Sequence, residues 1–376
     1  MLAGSDGALL VLSTLLAILP ASLPAQAPTA RSYTRELLLE PSGETSANAS
    51  VGDLDKDGDL DIVLAKGRHW PLHERVLLND GKGGFATARD LGEKPDRTYS
   101  GVLSDLDGDG DLDVVISNDE PDEKCIYLND GHAVFALAGT WGEPGWSTRN
   151  AAVADLDGDR RPDIVAANRP GPSYVCSNRG GGAFGEGLAL PAQSATTIVP
   201  VDLDRDGALD LVVPHRDGGQ SFVHFNDGHA RFARTKPFGP ATTRARTAAA
   251  GDLDGDGRPD LVLGDERRGA FVYANDGEGG LEEVLALGAA ERVPYAVALS
   301  DMNADGEADV VIGYDEAPGT VFLNAGKATE FVPVRFGDGH GTVYGLALAD
   351  LDGDGVVDVV AARSDAPNAV YFGAKP

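Results

Sequence analysis

The 376-residue chain is poor in several things at once: two cysteines, two methionines, 6% aromatic residues and 31 basic against 60 acidic side chains. The deficit of positive charge excludes nucleic acid as a partner, because phosphate binding needs a net basic footprint. No serine-hydrolase elbow, phosphate loop, paired zinc cysteines or dinucleotide fingerprint is present, which removes the commonest motif-borne chemistries. After residue 30 no segment carries a helical hydrophobic period. The apolar run Ala8–Leu19 is 12 residues long, short of the ~20 needed to span a bilayer.

What the chain does have is a repeated acidic nonapeptide. It starts at Asp53, Asp105, Asp155, Asp202, Asp252, Asp301 and Asp350, at spacings of 47 to 52 residues. A period in that range marks a propeller, solenoid or array.

Each copy sets oxygen donors at its first, third, fifth and ninth positions. The sets are Asp53, Asp55, Asp57, Asp61; Asp105, Asp107, Asp109, Asp113; Asp155, Asp157, Asp159, Asp163; and Asp202, Asp204, Asp206, Asp210. The remaining three are Asp252, Asp254, Asp256, Asp260; Asp301, Asn303, Asp305, Asp309; and Asp350, Asp352, Asp354, Asp358. Oxygen-only ligands on a short flexible loop suit Ca²⁺ better than Mg²⁺. So many carboxylates in nine residues would repel one another without a cation, and up to seven structural calcium sites are expected. An EF-hand is excluded, since it needs a Glu at position 12 and flanking helices. Here position 12 is Leu64, Ile116, Ala166, Val213, Leu263, Ile312 or Ala361, within β-rich runs.

Each unit reads as four short strands. In the second they are 100–104, 113–117, 125–128 and 135–139, with the acidic loop joining the first pair and Asn129-Asp130-Gly131 turning the last. Similar turns at Asn79, Asn226 and Asn275 are hairpin chemistry. The seventh unit ends after its third strand, 369–372, while an orphan strand, 33–39, precedes the first unit. That N-terminal strand can complete the last blade and remove an open edge. The expected class is therefore all-β: a seven-bladed propeller of four-stranded blades, acting as a monomer.

The loop D-x-D-x-D-G-x-x-D followed by N-D-G and an aromatic resembles the FG-GAP or VCBS repeats of integrin α-subunit propellers and of many secreted bacterial proteins. The resemblance covers the chain after residue 30 and implies the propeller fold and the calcium loops; adhesion to a protein partner is one function it would imply. Two copies depart from the pattern, with Arg160 in place of the turn glycine and Asn303 in place of a carboxylate. Those two loops are expected to bind metal most weakly.

Residues 1–27 read as a secretory signal ending at Ala25-Gln26-Ala27, although the n-region carries Asp6 and no basic residue. The propeller would then occupy 28–376, in a secreted, periplasmic or cell-surface protein where calcium is abundant. Cys125 and Cys176 fall on the same face of equivalent third strands, so they are expected to be buried free thiols.

In a propeller the acidic loops share one face, and the other receives the second-to-third-strand loops and the links between units. Arg68, Arg169, Arg216, Arg267, Arg268, Arg363, Arg97, Arg149, Arg244, Arg246 and Arg292 all map there. Six residues before each acidic loop, at the channel mouth, stand Ala47, Tyr99, Arg149, Thr196, Arg246, Tyr295 and Tyr344, with His69, Trp70, His73, Trp141 and Trp146 in nearby loops. Arginine recognises carboxylates and sulfates through its fork, and aromatic rings stack on sugar faces. Tyr99, Arg149, Arg246, Tyr295, Tyr344, Trp141 and Trp146 are therefore the candidate ligand residues, and an acidic glycan or an acidic protein surface is the expected partner. A polysaccharide lyase acting on uronates is the enzymatic alternative, with Arg neutralising the carboxylate and Tyr or His moving the proton.

Overall fold

The computed structural model describes residues 31–375; the expected signal segment lies outside the described residues. Among those residues all regular structure is β, and no helix is long and apolar enough to cross a membrane.

The first five units each become a separate four-stranded antiparallel sheet of strands consecutive in sequence. In the second unit the strands are Thr98–Ser104, Asp113–Asn118, Lys124–Asn129 and Phe135–Trp141, close to the expected bounds. The second strand of each unit is buried along its whole length, as in Asp113–Asn118 and Asp260–Asp265. It reads as a continuous apolar run because both its faces are covered. The outermost strands are instead mostly exposed and end on a single buried residue.

The inner strands lie side by side: Ser46–Gly52 against Thr98–Ser104, that against Thr148–Ala154, and so on to Thr342–Ala349, which contacts Ser46–Gly52 again. Hydrophobic clusters fill the wedges between adjacent sheets. One joins Leu54, Val63 and Val76 of the first unit to Val114, Ile116 and Tyr127 of the second. Cys125 sits in that wedge and Cys176 in the next, both free and buried.

The orphan strand, Ser32–Leu38, pairs antiparallel with Ala369–Ala374, in the register Ser32↔Ala374 to Leu38↔Ala369. One parallel bridge, Tyr33↔Phe336, also ties it to the sixth unit, so the sixth and seventh units form one eight-stranded sheet.

Candidate functional site

Two regions at opposite ends of the inner strands concentrate charge. At one end lie the acidic loops, and their pattern has an internal logic. The second residue of each, Leu54, Leu106, Leu156, Leu203, Leu253, Met302 or Leu351, is at most 2% exposed and plugs the wedge between sheets. Its backbone N–H donates to the Oδ2 of the ninth-position aspartate, at 2.8–3.1 Å, in all seven units. The Oδ1 of that aspartate accepts from the end of the third strand, for example Asn79 N–H to Asp61 at 2.8 Å and Gly373 N–H to Asp358 at 2.8 Å. The ninth aspartate is thus a buried latch between two hairpins. Burial pushes the carboxyls of Asp61, Asp113, Asp163 and Asp210 up to about 6, and those of Asp309 and Asp358 to about 7, against the lowering effect of these hydrogen bonds.

The asparagine opening each hairpin turn extends the logic to the neighbouring unit. Asn129 Nδ2 donates to the Leu54 carbonyl at 2.8 Å, Asn178 to Leu106 at 2.9 Å, and Asn79 to Leu351 at 2.8 Å. Asn226, Asn275 and Asn324 repeat the bond to Leu156, Leu203 and Leu253.

The carboxylates of the loops, in three of them together with the latching aspartate, crowd as a hard divalent cation requires. Ligand oxygens of Asp53, Asp55 and Asp57 lie within 4.8 Å of one another, as do those of Asp105, Asp107 and Asp113, of Asp155, Asp157 and Asp163, of Asp202, Asp204 and Asp206, and of Asp252, Asp254 and Asp260. Asp53, Asp55, Asp204 and Asp352 each keep a buried Oδ1 with no hydrogen-bond partner. The departure at Arg160 does not disturb the third loop. Its φ is +69°, near the +80° of Gly257 at the same position, and its N–H still donates to Asp155 Oδ2 at 2.9 Å. In the sixth loop the Asn303 amide turns inward and donates to Asp305 at 2.9 Å. Arginine occupies part of some sets: Arg234 pairs with Asp204 and Arg35 with Asp352.

At the other end of the inner strands is a cavity of about 180 Å³. Residues from all seven units line it, among them Ala47, Tyr99, Arg149, Thr196, Arg246, Tyr295 and Tyr344. Five guanidiniums meet there: Arg68, Arg149, Arg169, Arg216 and Arg246. Four of them pair with carboxylates. Arg149 binds Asp119 at 2.8 Å, Arg169 grips Asp217 at 2.8 Å, and Arg216 and Arg246 share Glu266 at 2.6 and 3.3 Å. Hydrogen bonds from Arg169 hold the Asp217 carboxyl down at about 2, so it stays ionised. Arg68 has no carboxylate partner among the described residues, and the Nε atoms of Arg68, Arg149 and Arg246 are buried without a hydrogen-bond acceptor. Five cations against three paired carboxylates leave an excess of positive charge with free donors.

Cations and phenols alternate around this wall. Arg149 lies 4.5 Å over the Tyr99 ring, Arg68 lies 5.7 Å from Tyr99 and 3.6 Å over Tyr344, and Arg246 lies 3.9 Å over Tyr295. Tyr344 and Tyr295 meet edge to face at 4.8 Å. Such cation–π contacts hold the guanidiniums in place without neutralising them. His69 stands beside Tyr99, with Nε2 3.0 Å from the phenol oxygen and Nδ1 3.8 Å from Asp119. Burial, then repulsion by Arg68 and Arg149, lowers the His69 pKa below its ordinary 6.5.

The turn carrying Arg68 and His69 is fixed by backbone bonds, Gly67 N–H to Thr45 at 2.8 Å, Arg68 N–H to Thr98 at 3.1 Å and Trp70 N–H to Gly67 at 2.7 Å. Gly67 has φ +105°, and a Cβ there would meet the Asp96 and Trp70 carbonyl oxygens at 2.4 and 2.5 Å. Only glycine fits that bend.

The structure brings Tyr99, Arg149, Arg246, Tyr295 and Tyr344 together but leaves Trp141 and Trp146 outside. Trp141 is 3% exposed and donates its indole N–H to the Ile116 carbonyl at 3.0 Å, so it is a core residue. Trp146 stacks on Tyr174 at 4.0 Å against the outer part of the third unit. Trp141 closes an outermost strand and Trp146 packs against the same cluster between units, so packing consumes both. Arg68, Arg169 and Arg216 join the cavity from the loops after the second strands. Their position in those loops places them on this face, but nothing in their spacing singles them out from Arg363, which is buried against Glu36 and Asp338.

A family model described as FG-GAP-like repeat matches the chain over residues 53–116, 105–166, 155–213, 202–263, 252–312 and 301–361. No curated protein sequence matches. Among solved structures the chain is similar to the BP39L lectin from Burkholderia pseudomallei, with a TM-score of 0.65 at 15% identity over 88% of this chain and 95% of that one. It is similar to an Agrocybe aegerita lectin described as recognising non-reducing terminal N-acetylglucosamine, with a TM-score of 0.57 at 19% identity over 86% and 87%. It also resembles BBS1N in complex with ARL6DN, with a TM-score of 0.58 at 10% identity over 94% and 97%. At such identities the likeness concerns the propeller fold.

Proposed function

Since this chain belongs to the FG-GAP-like repeat family, we propose that it is a calcium-stabilised binding module that holds an acidic carbohydrate in the guanidinium-lined cavity. The carrying observation is the unbalanced charge there: five arginines face three paired carboxylates, and three Nε–H groups point at no acceptor. A sulfate or carboxylate in the cavity would balance that excess of positive charge by pairing with the guanidiniums that line it. The lectin neighbours support a carbohydrate reading at the level of fold.

The scaffold under this reading is a seven-bladed propeller of residues 28–376, its last blade completed by Ser32–Leu38, exported behind a signal in residues 1–27. Calcium in the acidic loops would neutralise ligand sets that crowd carboxylate oxygens within 4.8 Å and would tie the hairpin between inner strands. The cavity lies at the far end of those strands, so the ion has a structural role and does not touch the carbohydrate.

The test is a glycan-array screen in millimolar calcium, with the wild type beside Arg68→Ala and Arg246→Ala. Binding of acidic glycans that both variants lose supports the reading; binding confined to neutral glycans sinks it. One observation favours lyase activity as a second reading, namely the Tyr99–His69 pair at 3.0 Å beside Arg149. Burial raises the Tyr99 phenol pKa, which leaves neutral His69 as the proton acceptor. Growth of ultraviolet absorbance from an unsaturated product on any bound uronate would establish that chemistry.

A further inference from the structure

The shape of the cavity and the state of its aromatic rings say how an acidic sugar chain would enter. Lining residues come from all seven units in rotation, which makes the cavity a well walled on every side. A groove, by contrast, would let a polymer pass through with residues on both sides of the bound one. The volume, about 180 Å³, is below the roughly 300–1,000 Å³ of pockets that engulf a drug-sized ligand. It has room for one charged sugar residue, inserted end-on.

The tyrosines of the wall are not open platforms. A guanidinium already covers one face of each of Tyr99, Tyr295 and Tyr344 at 3.6–4.5 Å, so these half-buried rings serve first to orient cations. One aromatic side chain is different. Trp70 is 67% exposed, and it is the only exposed aromatic residue among those described. It follows directly on Arg68 and His69, which line the well, in the turn whose backbone is pinned to Thr45 and Thr98. A large indole held in water on a rigid turn next to a charged well is the arrangement of a stacking platform. Outside the lining but next to it in sequence, Trp70 is left to meet the sugar that follows the inserted one.

We propose that the well takes the charged terminal residue of an acidic oligosaccharide end-on while Trp70 stacks on the adjoining sugar. The inference rests on the acidic-carbohydrate reading and deepens it to a class: chain ends bearing a carboxylate or sulfate, with no demand on the chain beyond the second residue.

Calorimetric titration with galacturonate and glucuronate oligomers of one to four residues, and with one sulfated disaccharide, tests it. The disaccharide is expected to bind about tenfold more tightly than the monosaccharide, in keeping with one aromatic stacking contact, and longer oligomers to gain nothing further. Trp70→Ala should erase the disaccharide gain and leave the monosaccharide affinity unchanged, while reduction of the terminal carboxylate to an alcohol should abolish binding. Affinity that keeps climbing with each added residue, or a disaccharide gain untouched in Trp70→Ala, overturns end-on binding but spares the acidic-carbohydrate reading. Failure of every acidic sugar to bind the wild type overturns both. Circular dichroism of Trp70→Ala checks that the fold is intact, as expected for an exposed side chain.

Discussion

Arg31 Nε donates to the Met302 carbonyl at 3.2 Å, filling the position that asparagine side chains fill in the other six units. The seventh unit has Gly373 where they have Asn, and Gly373 supplies only its backbone N–H to Asp358. The carbonyl left over in the sixth loop is taken by a residue from the opposite end of the chain. Arg31 also reaches the Asn303 carbonyl and is itself 9% exposed.

Arg31→Ala is therefore expected to destabilise the protein by about 1–3 kcal/mol, the cost of leaving a buried acceptor unpaired. Asn178→Ala, which frees the Leu106 carbonyl at an internal junction, should cost a similar amount. Thermal melts of the two variants check the equivalence; an unaltered melt for Arg31→Ala would show that the contact carries no stability.

Removing divalent ions with EDTA should lower the melting temperature. Each site whose ion stands at a hundredfold excess over its dissociation constant contributes ~2.7 kcal/mol to the folded state. Calcium, added back, should restore the melt, and magnesium should do so poorly. A melt indifferent to EDTA would remove the structural role of calcium.

Arg68 and Arg149 should separate binding from stability. Arg68 has no carboxylate partner, so Arg68→Ala strands no charge and should weaken acidic ligands at little cost in stability. Arg149→Ala leaves Asp119, whose side chain is 10% exposed, without its cation, and a loss on the order of 3 kcal/mol is expected. Denaturant midpoints and ligand titrations on both variants measure the two effects.

Acid should act on two histidines in different ways. His224, 1% exposed with neither ring nitrogen bonded, is pushed down by burial to about 4. Because its folded pKa lies below the unfolded 6.5, the unfolded state takes up the proton first, and stability is lost as pH falls from 6.5 toward 4. Replacement by Leu should flatten that part of the stability profile. His69 is also lowered, but it faces the well, so its protonation below pH 6.5 adds positive charge to the site. Affinity for an acidic ligand should rise on mild acidification in the wild type and stay level in His69→Gln.

Local chemistry carried most of the fold. The nonapeptide, its spacing and the Asn-Asp-Gly turns sufficed for the strands, because each hairpin is built from neighbours in sequence. The latching role of Asp61 and its counterparts was less legible, since a carboxylate that accepts two backbone N–H groups is written with the same letter as one that waits for a metal. At the cavity, the seven positions that open the inner strands were readable from periodicity. The stacking of Arg68 on Tyr344 was not, for it joins the first unit to the last and depends on how the ends of the chain meet. Trp141 and Trp146 misled because aromatic composition alone does not distinguish a ring that packs from a ring that binds; exposure does, and it singles out Trp70.

The pairing of Ser32 with Ala374 has a practical corollary. Arg31 touches the sixth acidic loop and Lys375 the seventh, through the Asp354 carbonyl at 3.1 Å, so both ends of the described chain emerge on the acidic side. A tag or sensor surface joined directly at residue 31 or residue 375 leaves from the floor of the molecule and turns the arginine well outward. Immobilised through either end, the protein should display the same side to solution.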